Sequence, residues 1–308
     1  MATYEPRMDW LKEQLDSINN QTYPWIKLYI RDDCSKIETF ENIVNLVKET
    51  IVRFPYIINR NSKNIGSNCT FELLTEEAEG NYFAYCDQDD VWLPDKLLLL
   101  QKKIEETQAG LVCSDVFIIN ESSQVIGKSI TEFRPRHIFL EGYHLSGTLI
   151  IRNFVIGCTM LIRSTIAKQS LPFALNMVHD HYLAFYNSIN HRISVFSEPL
   201  VLYRQHQNNQ TGVLINISNK KEYIEYHLRS FYNRVFELKN RFPNIVLPDI
   251  SNWANARIEN SQGKPGSIRK LFKLRSVNKA TTLFEIIAFH MPEIIFRYMI
   301  RFIQCGKV

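Results

Sequence analysis

The stretch from Asn81 to Pro94 sets the tightest limit on what this chain can fold into. Tyr82-Phe83-Ala84-Tyr85-Cys86 is a short apolar, aromatic-rich run behind a Gly80-Asn81 break, and it reads as a buried strand. Asp87, Asp89 and Asp90 then arrive within four residues, followed by Pro94, Asp95 and a helical pattern from Lys96 to Thr107. Pro94 suits the first helical position, where a missing N–H costs nothing. The carboxylates thus stand at the C-terminal end of a strand, where open α/β sheets bind ligands. On an extended segment Asp87 and Asp89 point the same way, roughly 6–7 Å apart. Two unpaired carboxylates that close repel, and a hard divalent cation relieves the repulsion. Mg²⁺ takes one or two carboxylates and fills its shell with water and phosphate oxygens. The pattern is a candidate clamp for a metal diphosphate; the plain alternative is a solvated acidic turn that caps a helix.

Upstream, the same grammar repeats. Met8, Leu11, Leu15 and Ile18 have helical spacing, Trp25 to Ile30 alternates as a strand, and Arg31-Asp32-Asp33-Cys34-Ser35 ends it. A helix is expected over Ile37 to Phe54, a strand over Tyr56 to Asn59, a loop at 61–68 with Gly66 at a tight turn, and a helix from Cys69 to Ala78. Strands alternating with helices of these lengths imply an α/β fold with a doubly wound, mostly parallel sheet. In such a sheet Asp32-Asp33 and Asp87 to Asp90 open on one edge, so a nucleoside diphosphate could span them. Taken alone, Asp32-Asp33-Cys34-Ser35 reads as a helix-initiating turn. After residue 110 the pattern loosens: a strand at Leu111 to Asn120 with a hairpin return at Val125 to Ile130, an apolar run from Phe154 to Ile162 interrupted at Gly157-Cys158-Thr159, a helix from His179 to Ile189, and strand, turn and strand from Ile193 to Tyr203.

A chain of 308 residues allows one large or two modest domains. Its six cysteines, at 34, 69, 86, 113, 158 and 305, lack paired metal-ligand spacing and fit a reducing cytosol. Met1 to Trp10 has no apolar core of a signal peptide. Residues 264–308 hold nine Lys/Arg against Glu285 and Glu293, a net +7, which leaves −3 for residues 1–263 out of the chain's +4. The main body therefore makes no electrostatic case for nucleic acid.

Several segments together resemble glycosyltransferase family 2, inverting nucleotide-sugar enzymes of the GT-A fold, and most of all bacterial rhamnosyltransferases of surface polysaccharides. They are Met1-Ala2-Thr3-Tyr4, Glu13 to Ile18, Gln21-Thr22-Tyr23, Arg31 to Ser35, Asn64-Ile65-Gly66, Asp87 to Trp92, Gly157-Cys158, His179-Asp180 and Tyr203-Arg204-Gln205-His206. The likeness covers about residues 1–212 and implies a GT-A catalytic domain there, with a helical C-terminal extension over 213–308. It implies that Thr3 and Tyr4 line the base pocket and that Asp32 or Asp33 reads the base. Asn64, Gly66, Asp87, Gln88 and Arg204 join the nucleotide-sugar contacts. Trp92, Gly157, Cys158 and His179 lie on the acceptor side. Asp89, with Asp87 and His206, holds Mg²⁺ or Mn²⁺, and Asp180 is the general base. The implied partners are a nucleotide-diphosphate sugar, with dTDP-rhamnose the best guess, and a glycan or lipid-linked acceptor; oligomeric state is not implied. Family members carry a full apolar strand ahead of the Ala-Thr-Tyr motif. Here Met1 alone precedes it, so either the start is truncated or the sheet lacks most of an interior strand.

The basic segment 264–308 carries Phe272, Phe284, Phe289, Phe296, Tyr298 and Phe302, but its charges and Pro292 rule against a bilayer span. It reads as an amphipathic segment at the inner face of the cytoplasmic membrane, or as helices packed on the catalytic domain. Two other functions compete. A nucleotidyltransferase would need a Gly-rich phosphate loop that is missing near the N-terminus. A catalytically degenerate GT-A-like scaffold of a polysaccharide assembly complex would keep the acidic pocket without turnover.

Overall fold

In the computed structural model, three short strands pair in parallel in the order β1-β2-β3: β1 (Ala2–Thr3), β2 (Leu28–Asp32) and β3 (Tyr56–Arg60). Helices α1 (Met8–Asn19), α2 (Ile37–Thr50) and α3 (Ser67–Glu77) connect them and lead onward. The apolar spacing read from sequence is the buried stripe of α1, where Leu11, Leu15 and Ile18 meet Ile30, Ile43 and Val47. A second sheet has the order β4-β8-β6-β9-β5, from β4 (Tyr82–Ala84), β5 (Val91–Trp92), β6 (Leu111–Ile119), β8 (Leu161–Arg163) and β9 (Ile193–Arg204). A short hairpin strand, β7 (Val125–Gly127), pairs with β6. The long β6–β9 pairing is parallel, whereas β4–β8, β6–β8 and β5–β9 are antiparallel. Strand β6 is buried on both faces, and its sequence is apolar except for Ser114 and Asp115.

The structure describes residues 1–206, 214 and 217–304. These fall into two compact units, one of residues 1–145, 153–173 and 178–206, the other of 146–152, 174–177 and the described residues from 214 onward. The boundary expected at residue 212, Cys305 and Lys307 lie outside the described residues.

Three local expectations change. Strand β4 stops at Ala84, and the chain bends at Gln88 and Asp89. Helix α4 (Lys96–Thr107) starts two residues after Pro94, with Asp95 at its N-cap. Ile193 to Arg204 is one strand with register shifts opposite Ser114 to Phe117, because β6 holds it in pairing through Pro199. Strand β1 reaches β2 only at Ala2↔Arg31 and Thr3↔Asp32, and the Met1 ammonium donates to the Tyr29 carbonyl at 2.7 Å. Beyond it a cavity of about 690 Å³, lined by Met1, Tyr29, Phe71, Ala84 and Leu161 among others, separates β2 from β4.

The second unit is helical, built mainly from Arg229–Arg241, Pro248–Ser261, Ser267–Lys273, Lys279–Ala288 and Glu293–Gln304. Phe296 and Ile300 pack with Ile217, Tyr223 and Ala288. Among the described residues no helix is long and apolar enough to cross a membrane.

Candidate active site

The first acidic strand end is fully engaged. Asp32 is completely buried and accepts from the Ser35 N–H at 2.8 Å, the Ser35 hydroxyl at 2.6 Å and the Thr3 hydroxyl at 3.2 Å. Asp33 accepts from the N–H groups of Ile65 at 2.9 Å and Gly66 at 2.7 Å, and from the Asn61 amide at 2.9 Å. It thereby folds the 61–66 loop around itself, with Gly66 at φ +84°, a left-handed turn open to glycine. Tyr4 and Asn64 are exposed beside this end. Gln88 ties it to the second end: its amide accepts from the Tyr4 N–H at 2.8 Å and donates to the Tyr4 carbonyl at 3.2 Å.

At the second end, the bend at Gln88 and Asp89 replaces the extended segment expected over Asp87 to Asp89. Ligand atoms of Asp87, Asp90 and Cys158 lie within 4.8 Å of one another. Asp89 Oδ2 is 2.7 Å from His206 Nε2. Burial, then the charges of Asp89 and Asp180, push the Asp87 carboxyl up to about 7. Asp90 is fully enclosed; its Oδ1 accepts the Arg204 N–H at 3.0 Å and its Oδ2 has no hydrogen-bond partner. Burial, then Asp89 and Asp87, drive the Asp90 carboxyl well above the usual range. Lys96, equally enclosed, sets its Nζ 3.1 Å from the centroid of the Trp92 ring, with no hydrogen-bond partner, and burial lowers it to about 7.

Asp180 opens the helix His179–Asn190. Its Oδ2 accepts the Gly157 N–H at 2.9 Å, and its Oδ1 accepts the His181 N–H at 2.5 Å and the Asn153 amide at 3.3 Å. Burial raises the carboxyl to about 6 against the pull of those N–H groups. A side chain on Gly157 would meet His179 Nε2 at 3.1 Å and Asp180 Cβ at 3.3 Å, so glycine is what lets the backbone approach the carboxylate. His179 stacks on Phe71 at 4.0 Å between ring centroids, and burial lowers its pKa to about 3, so it is neutral.

The structure thus brings Asp87, Asp89, Asp90, Cys158, Gly157, Asp180 and His206 into one electrostatic neighbourhood. Two expected contacts sit elsewhere. Arg204 is completely buried, and its guanidinium donates to Glu13 Oε2 at 2.6 Å, the Asp89 carbonyl at 2.7 Å, Ser123 Oγ at 2.9 Å and the Asn120 carbonyl at 3.2 Å. It braces the loop that carries Asp89 instead of facing a ligand. Trp92 is buried beneath Lys96 and belongs to the core. Sequence reasoning passed over Lys96, whose position in the first turn of an amphipathic helix looks like any surface lysine, and gave Asp90 no role although it stands in the same motif.

Among donors, the carboxylates of Asp87 and Asp89 and the His206 imidazole suit Mg²⁺ or Mn²⁺. The enclosed Oδ2 of Asp90 lacks a hydrogen-bond donor, although the buried Lys96 charge is within electrostatic reach of Asp90 and Asp87. Burial drives the Cys158 thiol well above its ordinary value, so without a metal beside it the thiol stays protonated.

The chain is similar to known proteins in sequence and in fold. The chain is 28% identical over 240 residues to the dTDP-rhamnosyl transferase RfbG of Shigella flexneri, covering 72% of this chain and 76% of the relative. It is 24% identical over 280 residues to the abequosyltransferase RfbV of Salmonella typhimurium, covering 81% and 79%. Among solved structures, residues 1–349 of Staphylococcus aureus TarS in complex with UDP-GlcNAc superpose with a TM-score of 0.59 at 15% identity, over 98% of this chain and 85% of that one. The mannosyltransferase PcManGT of Pyrobaculum calidifontis, in complex with GDP-Man and Mn²⁺, superposes with a TM-score of 0.54 at 13% identity, over 99% and 84%. The fold is GT-A. The family model described as "Glycosyl transferase family 2" matches residues 1–170, more than half of the chain, and the protein belongs to that family.

Proposed function

We propose that the chain is an inverting, metal-dependent rhamnosyltransferase that moves rhamnose from dTDP-rhamnose onto a growing, lipid-linked surface polysaccharide at the inner face of the cytoplasmic membrane. The relative named dTDP-rhamnosyl transferase supports the sugar. The observation that carries the chemistry is Asp180, whose carboxyl is held by two backbone N–H groups and titrates near 6. A base of that pKa is ionised at neutral pH and close enough to it to accept a proton efficiently. Asp180 takes the proton of the acceptor hydroxyl as that oxygen attacks the anomeric carbon. The bond from that carbon to the diphosphate breaks on the opposite face, and its electron pair leaves with dTDP. One base and one displacement invert the anomeric centre.

Thr3, Tyr4, Asp32 and Asp33 form the base end of the donor site in this reading. Asn64, Gly66 and Gln88 continue it, and Asp87 stands at the ribose and diphosphate. Gly157, Cys158 and His179 shape the acceptor side around Asp180. Asp87, Asp89 and His206 hold the metal; Mg²⁺ or Mn²⁺ bound there supplies positive charge to the leaving diphosphate. The test is release of dTDP, with a rhamnosylated product, from dTDP-rhamnose, acceptor and Mn²⁺, run beside UDP- and GDP-sugars. Release from another nucleotide sugar alone would overturn the rhamnosyl assignment. Transfer at the wild-type rate by Asp180→Asn would overturn the base.

A further inference from the structure

The helix Glu293–Gln304 has two apolar faces, and only one is covered. Phe296 and Ile300 are fully enclosed within the core of the second unit. At 3.6 residues per turn, Ile294, Tyr298 and Phe302 form a separate row, with Ile295 beside it. These side chains are 64, 69, 50 and 50% exposed respectively. Arg297 and Arg301, also exposed, flank the row. The segment is mostly basic: residues 264–304 hold eight Lys/Arg, Glu285 is buried against Arg257, and the exposed Glu293 lies 3.5 Å from Arg297, which leaves Arg301 without an acid beside it on the helix.

We propose that this second face docks on an anionic lipid surface, with the helix lying in the plane of the interface. Ile294, Ile295, Tyr298 and Phe302 enter the acyl boundary, and Arg297 and Arg301 reach back to lipid phosphates. A membrane span is excluded by length, since the helix has twelve residues, about 18 Å, against a hydrocarbon core of about 30 Å. A second copy of the chain fits less well. A two-fold contact through this row would set the arginines of one copy near those of the other. An anionic bilayer matches both the apolar row and its cationic border. The purpose of such docking rests on the lipid-linked acceptor proposed above, but its physics does not.

The experiment is sedimentation of the full chain with phosphatidylcholine vesicles, with and without phosphatidylglycerol, at low and high salt. We expect about tenfold or more stronger uptake by the anionic vesicles at low salt, lost as salt screens the arginines. Tyr298→Ser with Phe302→Ser should abolish uptake by removing the inserted side chains. Arg297→Gln with Arg301→Gln should remove only the salt-dependent part. Both pairs are at exposed positions, and circular dichroism melts check that each variant folds. Equal sedimentation of wild type and the Tyr298/Phe302 variant would overturn the proposal. So would a dimer in light scattering that this variant dissolves, without vesicle uptake, because a second copy would then cover the face. dTDP release without vesicles reads the transfer chemistry separately, so failure of one reading leaves the other visible.

Discussion

Arg257 and Glu285 in the helical unit are 2% and 0% exposed, and each charge is met. The guanidinium donates to both carboxylate oxygens, at 2.8 and 2.5 Å, and the Tyr223 hydroxyl adds a third bond at 2.8 Å. In the sheet unit Asp90 and Lys96 are as deeply buried, yet Asp90 Oδ2 and Lys96 Nζ are unpartnered and their pKa values move towards neutrality. Matched buried charge holds a fold together, because removing either partner strands the other. Unmatched buried charge is costly and accumulates where a ligand completes it. By that criterion the working end of this molecule is at the end of β4, and the Arg257–Glu285 pair is structural.

The largest effect expected is on turnover. Asp180→Asn should keep donor binding and lose roughly 10²–10⁴-fold in rate, measured by dTDP release, because the amide cannot accept the proton. Wild-type turnover should halve near pH 6 on acidification, as Asp180 protonates, and the variant should lack that limb. Breaking the matched pair should act on stability instead. Glu285→Ala strands the Arg257 guanidinium and should cost about 3–5 kcal/mol in denaturant unfolding. Full donor affinity at a temperature where this variant stays folded would sharpen the division; a stability loss below about 1 kcal/mol would erase it.

The fold was legible beforehand, and the division of buried charge was not. The alternation through α4 pointed to the α/β class, and the Asp87 to Asp90 run near a strand end stood out as a candidate ligand site, but Lys96 and the Arg257–Glu285 pair did not stand out at all. The details depend on partners far along the chain. Asp90 meets Cys158 and the Arg204 N–H, and Arg204 is held by Glu13, 191 residues away. No local pattern announces such contacts, so Arg204 looked like a ligand arginine. The end of β4 at Ala84 was also invisible, since Tyr85 and Cys86 continue the apolar run that predicts a strand. The tail's apolar residues pointed equally to packing and to a membrane surface, and the helix Glu293–Gln304 has one face covered within the helical unit and one exposed.

Gly157→Ala should give an intermediate effect. The new methyl would press on His179 and Asp180 at 3.1 and 3.3 Å, so one of them shifts. Small displacements of a base cost up to about 10²-fold, and we expect roughly 10–100-fold in kcat with the donor KM nearly unchanged. A variant with wild-type kcat would mean that the Asp180 carboxylate tolerates the displacement.

The smallest effect is the most direct comparison, between two aspartates of the sheet unit that are both 0% exposed. Asp32 accepts three hydrogen bonds, so Asp32→Asn should cost about 1–3 kcal/mol, as a charged acceptor is replaced by an amide that brings two donors. Asp90→Asn keeps an oxygen for the Arg204 N–H, removes a charge that burial penalises, and should change stability by under about 0.5 kcal/mol at low pH. The pH dependence carries the sign. The Asp90 carboxyl is raised well above its ordinary 3.8 in the folded protein. Below 3.8 both states hold the proton; above it the unfolded chain loses the proton first, and wild-type stability falls as pH rises towards the folded value. An amide at this position has no such slope, so Asp90→Asn should gain on wild type as pH rises above 3.8, read from urea midpoints at a series of pH values. If Asp90→Asn instead lost as much as Asp32→Asn at every pH, Asp90 would be a matched structural acid, and the contrast between the two buried clusters would fail.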